Sequence, residues 1–211
     1  MNSINLLIIG APNSGKGTAS GDICRDYGLY HFSTGDMLRE NIASSTELGK
    51  LAKSYMDKGM LVPDDVIINM VEAKLGEEVC KNGVLFDGFP RTLSQAKALD
   101  KLININAVLY LDVDDETVVE RAVNRRVCSK CKKIYKASEL TSNTCSECGG
   151  EIITRADDTR EVALSRVQTY KTETFPLVEY YSKKVVKIDA SRRIDEVQAE
   201  IKQKLKKALG K

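Results

Sequence analysis

A parallel β-sheet covered by helices on both faces is the fold class that the sequence predicts, and three observations predict it. Short, branched apolar runs alternate with segments of helical period along most of the chain. The first run, Ile4 to Ile9, leads through the glycine-rich Gly10–Thr18 into a helical stretch. Two segments, 33–62 and 128–154, break the rhythm and read as inserts on one core.

Each element has its own reason. The continuous run Ile4–Ile9 suits a strand buried on both faces, and Gly10 ends it. Leu29–Phe32 is a weaker run, while Val84–Phe86, Ala107–Val113 and Val185–Ile188 repeat the first pattern. Pro63-Asp64-Asp65 opens a helix with carboxylates at the positive end of its dipole, followed by Val66, Ile67, Met70, Val71 and Leu75. Asp114 and Asp115 open another, carrying Val118, Val119, Ala122 and Val123. The last helix repeats Ile194, Val197, Ile201, Leu205 and Leu209 at a period near 3.6, and its lysine-rich end reads as a solvated face. The expected layout is a core of residues 1–32, 63–124 and 156–211, a helical insert at 33–62 and a second insert at 125–155.

Composition bounds the function. The 211 residues, 42% hydrophobic and 29% charged, suffice for one sizeable core. Lys and Arg number 32 against 30 Asp and Glu, a net charge of +2 that argues against a dedicated nucleic-acid binder. No apolar run approaches the roughly 18–20 residues of a membrane span. Met1-Asn2-Ser3 has no basic residue, so no secretory leader is expected, and the six cysteines then point to a reducing cytoplasm. The single histidine, His31, leaves little scope for a histidine triad or a histidine-based metal site. No large apolar stripe is left over, which favours a monomer.

Gly10-Ala11-Pro12-Asn13-Ser14-Gly15-Lys16-Gly17-Thr18 has the context of a phosphate-binding loop, a strand before it and a helix after it. Its glycines let several backbone N–H groups converge, and the helix N-terminus adds positive potential. Lys16 brings a full charge to the β- and γ-phosphates of a nucleoside triphosphate. The general motif places Ser or Thr directly after the lysine, but Gly17 stands there and Thr18 follows. Either Thr18 supplies the hydroxyl for Mg²⁺, or water and an acidic residue do; Asp87, at the end of the Val84–Phe86 run, is the candidate.

A phosphate acceptor needs no general base, because its oxygen is already anionic; it needs cations to offset repulsion between two polyanions. Arginine suits that task. Arg39 follows Ser33-Thr34-Gly35-Asp36-Met37-Leu38, and Arg91 follows Asp87-Gly88-Phe89-Pro90. Arg121, Arg125 and Arg126 precede the cysteine-rich window, and Arg155, Arg160 and Arg166 follow it. Any one of these alone reads as solvated surface. Thr92 and Gln95 also fit a capping box, a purely structural role.

Gly10–Thr18, Ser33–Arg39, Asp87–Thr92 and Arg155–Asp158, taken in order, resemble the adenylate kinases, and the likeness runs from end to end. The resemblance implies a P-loop sheet with an AMP-binding insert and a lid, and reversible transfer of the γ-phosphoryl of MgATP to AMP. It implies that Gly10, Ser14, Gly15, Lys16, Gly17 and Thr18 wrap the ATP phosphates, with Arg121 and the backbone at Arg192 near the adenine. Thr34, Arg39, Met60, Val62, Gly88, Arg91 and Gln95 would hold AMP, and Thr34 with Gln95 favours AMP over pyrimidine acceptors. Arg125, Arg155 and Arg166 would clamp the phosphates, Arg155 and Arg166 also touching AMP, while Asp87 orders waters on Mg²⁺. Asp157 and Asp158 would steady the moving lid. Asn13, Ala19, Met60 and Ala190 depart from the family's commoner residues, and none of these departures removes a charge from the clamp.

Cys128-x₂-Cys131 and Cys145-x₂-Cys148, separated by 13 residues, match a tetrahedral four-thiolate site. Four protein ligands leave no open position, so the site reads as structural. Zinc fits, and iron or cobalt would also accept thiolates. Cys24 and Cys80 stand apart and read as small core residues. Two other functions remain compatible: a kinase for a different nucleoside monophosphate, or a P-loop ATPase bearing a zinc-ribbon binding module. The second draws on the nine Lys/Arg against five Asp/Glu in residues 121–160.

Overall fold

The computed structural model describes residues 3–210. Met1, Asn2 and Lys211 lie outside the described residues, and with them most of the Met1-Asn2-Ser3 stretch.

Strand β1 (Leu6–Gly10) runs through the loop into α1 (Lys16–Tyr27), and β2 (Tyr30–Ser33) follows. Segment 33–62 folds as two helices, α2 (Thr34–Ala43) and α3 (Glu47–Met56), capped by the side chains of Ser33 and Thr46. The chain returns through α4 (Asp64–Leu75) to β3 (Val84–Asp87), then α5 (Leu93–Leu102), β4 (Ala107–Asp112) and α6 (Asp115–Val123). A small excursion holds β5 (Arg125–Cys128), β6 (Ile134–Lys136) and β7 (Ile152–Ile153). Helix α7 (Arg160–Thr169) continues through a π-helical turn, Tyr170–Thr174, into α8 (Pro176–Tyr180). β8 (Val185–Asp189) and α9 (Ile194–Ala208) complete the fold.

The main sheet has the order β2-β3-β1-β4-β8, and every pairing is parallel. Alternation along β1 divides the core. Leu6 and Ile8 face Ala19, Ile23, Ile201 and Leu205 of α1 and α9. Leu7 and Ile9 face the other layer, with Phe32, Phe86, Val71, Leu99 and Leu177. Both faces are dry, which is why the strand sequences are continuous rather than alternating. β1 starts two residues later than its apolar run suggests: the Asn5 N–H donates to the Asn106 side chain at 2.8 Å instead of to the ladder. The chain leaves β1 for β2 and β3 on one side and β4 on the other, so the direction of winding reverses there. A crevice therefore opens at the carboxyl ends of these strands, where Gly10, Ser33 and Asp87 lie.

Segment 125–153 forms a second, antiparallel sheet of order β6-β5-β7. Its own core is only Cys128, Cys145 and Ile152, with Tyr135 and Leu140 against them. No described helix is long and apolar enough to cross a membrane.

Candidate active site

The loop after β1 is held open by backbone geometry. Gly15, at φ 98°, occupies a region that disfavours any side chain, and Asn13 adopts φ 62°, where a short amide is tolerated. Lys16 is the first residue of α1, and its ammonium turns back to donate to the carbonyls of Gly10 and Ala11, each at 2.7 Å. Burial pushes the Lys16 amine down to about 7; Arg91, Arg166 and Arg125 push the same way, and Asp87 opposes them.

Gly10, Ser14, Gly15, Gly17 and Thr18 line a cleft of about 770 Å³ together with Lys16 and Asp87. Arg39, Arg91, Arg121, Arg125, Arg155, Arg166 and Arg192 reach the same cleft from seven different parts of the fold. Asp87 is 9% exposed, with Oδ2 3.5 Å from the Ser20 hydroxyl and 3.3 Å from Nε2 of His31. The Arg121 guanidinium donates to the Ala190 carbonyl at 3.0 Å, placing it beside the loop after β8. Arg192 lines the cleft, and its side chain pairs with Glu200.

Carboxylates hold four of the other arginines, Arg39, Arg125, Arg155 and Arg166. Asp158, whose side chain is fully buried, takes both Nε and Nη2 of Arg125, the former at 2.8 Å. Asp157 pairs with Arg166 at 2.8 Å, and Asp36 lies 2.7 Å from Arg39 and 3.8 Å from Arg155. Burial alone would raise the Asp157 carboxyl, but Arg166, Arg39, Arg125 and Arg155 outweigh it and hold it below its ordinary range. Burial lowers Arg91 and Arg155 to about 10, so both stay charged at neutral pH.

A smaller cavity opens off this cleft. It is lined by Thr34, Arg39, Met60, Val62, Gly88, Arg91, Gln95 and Arg166; Arg155 does not reach it. The Gly88 carbonyl accepts from both the Thr34 hydroxyl and Arg91 Nε, each at 2.8 Å. Gly88 has φ 79°, and a Cβ there would lie 2.8 Å from Arg91 Nη2 and 2.9 Å from Thr34 Oγ1. The capping box at Thr92 is half made. Thr92 accepts the Gln95 N–H at 3.2 Å, but Gln95 Oε1 reaches past the Thr92 N–H to accept that of Arg91 at 2.7 Å.

The four cysteines come together in the small sheet, all sulfurs within 4.8 Å of one another. The Cys128–Cys148 and Cys131–Cys145 sulfurs are 3.5 and 3.6 Å apart. An ion bonded tetrahedrally to sulfur at about 2.3 Å needs edges of about 3.8 Å, so the set fits zinc. A Cβ on Gly150 would stand 2.8 Å from Cys128 Sγ, so this turn must be glycine. The Tyr135 hydroxyl, 3.1 Å from Cys145 Sγ, brings that thiol down to about 6, the direction a thiolate ligand needs. The cysteines do not line the cleft. Cys80 is buried with its thiol on the Lys74 carbonyl, and Cys24 is half-buried.

Three groups escaped the sequence reading. Ile134, Tyr135 and Lys136 on β6 line the large cleft. A three-residue strand with no apolar periodicity gives no signal; only its position between the two cysteine pairs marks it. Asp36, inside a segment already singled out, holds two arginines. Asp64 binds Gln95 across 31 positions, a pairing no local pattern shows.

A parallel sheet with a phosphate loop at its switch point and a ring of arginines around an adjoining second cavity defines a nucleotide kinase of the P-loop class. The adenylate kinase family model matches residues 8–186. Adenylate kinase of Alkaliphilus oremlandii is 47% identical over 208 residues, covering 94% of this chain and 96% of that one. That of Clostridium tetani is 45% identical over 92% and 94% of the two chains, and that of Archaeoglobus fulgidus 44% over 97% and 99%. The chain belongs to the adenylate kinase family and is a nucleoside-monophosphate kinase.

Proposed function

We propose that the chain catalyses reversible transfer of the γ-phosphoryl of MgATP to AMP, giving two ADP, by clamping both nucleotides between fixed cations. The observation that carries this is the junction of the two cavities: Arg39, Arg91 and Arg166 line both. A phosphoryl group passing from one nucleotide to the other crosses at that point. Gly10, Ser14, Gly15, Gly17 and Thr18 cradle the donor phosphates, and Lys16 leaves its carbonyl partners for them. Arg121 and the Arg192 backbone border the donor base. Thr34, Met60, Val62, Gly88 and Gln95 surround AMP. Arg91, Arg125, Arg155 and Arg166 offset charge during transfer. Asp87 stands where it orders the waters of nucleotide-bound Mg²⁺, which neutralises the β- and γ-oxygens.

Residues 33–62 act as the AMP-binding insert and 125–155 as the lid, on a core of 1–32, 63–124 and 156–211. Closing the lid excludes water that would otherwise take the phosphoryl group. Cys128, Cys131, Cys145 and Cys148 hold a structural Zn²⁺ that replaces the core this small sheet lacks. Four reduced thiols suit a cytoplasmic setting. The sequence leaves no large apolar stripe unpartnered, so we read the enzyme as a monomer. Arg125 and Arg155 face the cleft, so the local positive charge has an acceptor without invoking nucleic acid.

MgATP mixed with AMP should yield ADP, and CMP, UMP and GMP should be poorer acceptors. An enzyme that prefers one of those three refutes the AMP assignment.

A further inference from the structure

Asp64 lines neither cavity, yet it is hydrogen-bonded to a residue that does. It is the first residue of α4, and its carboxylate reaches the N-terminus of α5. Oδ2 accepts the Thr92 hydroxyl at 2.7 Å, and Oδ1 accepts Gln95 Nε2, also at 2.7 Å. Gln95 is 2% exposed and lines the smaller cavity. Its other end, Oε1, accepts the Arg91 N–H at 2.7 Å.

These two partners fix the amide one way round. A carboxylate only accepts and a backbone N–H only donates. A flipped amide would set its oxygen against Asp64 and its NH₂ against the Arg91 N–H, losing both bonds inside a buried setting. In the held orientation one amide N–H and one oxygen lone pair remain uncommitted.

We propose that Asp64 is a positioning residue that locks the Gln95 amide and thereby selects a 6-aminopurine over a 6-oxopurine in the acceptor nucleotide. This rests on reading the smaller cavity as the AMP subsite. Adenine presents an amino donor beside a ring-nitrogen acceptor, which matches a free amide oxygen beside a free amide N–H. Hypoxanthine presents a carbonyl acceptor beside a ring N–H, the reverse order, and needs the amide flipped. Asp64 and the Arg91 N–H together forbid that flip. Specificity of this kind comes from leaving the wrong ligand's polar groups unpaired, not from added attraction to the right one.

The test compares kcat/KM for AMP and IMP, with MgATP as donor, in the parent enzyme, Asp64→Ala, Asp64→Asn and Gln95→Leu. Asp64→Ala should raise KM for AMP and lower the AMP-to-IMP ratio about tenfold, with KM for ATP unchanged. Asp64→Asn keeps the size and a hydrogen-bonding tip but relaxes the polarity, so its ratio should fall by less. A purely structural Asp64 would lower Tm and leave the ratio alone, and an unchanged ratio in folded Asp64→Ala overturns the proposal. If Asp64→Ala does not fold, an unchanged ratio in Asp64→Asn does the same. Gln95→Leu separates the two levels. If it leaves KM for AMP unaltered, the subsite reading itself fails; if it raises that KM while the Asp64 variants keep the parent ratio, only the role of Asp64 fails.

Discussion

Lys16 is the residue on which most of the site's electrostatics converge. Burial and three neighbouring arginines bring its amine to about 7, so around pH 8 most of it is neutral before a nucleotide arrives. A polyphosphate beside it favours the charged form. Binding a non-hydrolysable ATP analogue at pH 8 should therefore take up a proton, approaching about one per site. Calorimetry in buffers of different ionisation enthalpy reads this directly, and no buffer dependence would refute it. The sign for folding runs the other way from a salt-bridged lysine. Between about 7 and 10.5 the unfolded chain holds this proton and the folded chain does not, so this group's contribution to stability rises with pH across that window. The Asp157 carboxyl, held below its ordinary range, contributes stability at neutral pH that is lost as pH falls through its folded value.

The buried pair Arg125–Asp158 belongs to the same scale. The Asp158 side chain is fully buried and that of Arg125 is 11% exposed. Asp158→Ala leaves that guanidinium without its carboxylate, and stability should drop by about 3 kcal/mol. Denaturant unfolding of the variant measures this, and a change below about 0.5 kcal/mol, the size of an ordinary surface substitution, would contradict the pairing.

Among the elements, the small antiparallel sheet has the least packing of its own. Three buried residues, two of them cysteines, make up its centre. With the proposed structural zinc in place, Cys145→Ser or a chelator should lower Tm by several degrees while sparing kcat at temperatures where the sheet stays folded. Equal loss of activity at low temperature would mean that the metal acts in the reaction and not in the fold. The sheet also marks a limit of what sequence conveys. Its cysteine spacing was plain, but β5, β6 and β7 were not, because strands of two to four residues are too short to show a period. β1, β3 and β4 were legible for the opposite reason: each is a largely apolar run buried along nearly its whole length, whereas β2 and β8 are only partly buried and gave weaker or shorter runs. Helix starts at Asp64 and Asp115 were legible from their carboxylates. The two helices of segment 33–62 were visible only as helical signals, since much of their apolar surface is shared with the core layer around Phe32 and Phe89.

At the scale of the whole molecule, a near-neutral net charge conceals segregation. The arginines of the clamp come from α2, the turn after β3, β5, the strand-free stretch after β7, and α7, and meet only when the chain is folded. The motifs placed the phosphate loop and several arginines in sequence. They did not show that Asp36, Asp157 and Asp158 would hold those arginines, or that Asp64 would reach Gln95, because such pairings depend on the tertiary path. The proposed role of these cations is to join two nucleotides for phosphoryl transfer. It is tested most directly by following ADP formation from MgATP with and without AMP in the parent enzyme, Lys16→Ala and Arg91→Ala. ADP should form at two per AMP consumed and depend on AMP, and each substitution should lower kcat at least about a hundredfold. ADP release that ignores AMP, or full activity in both variants, would contradict it.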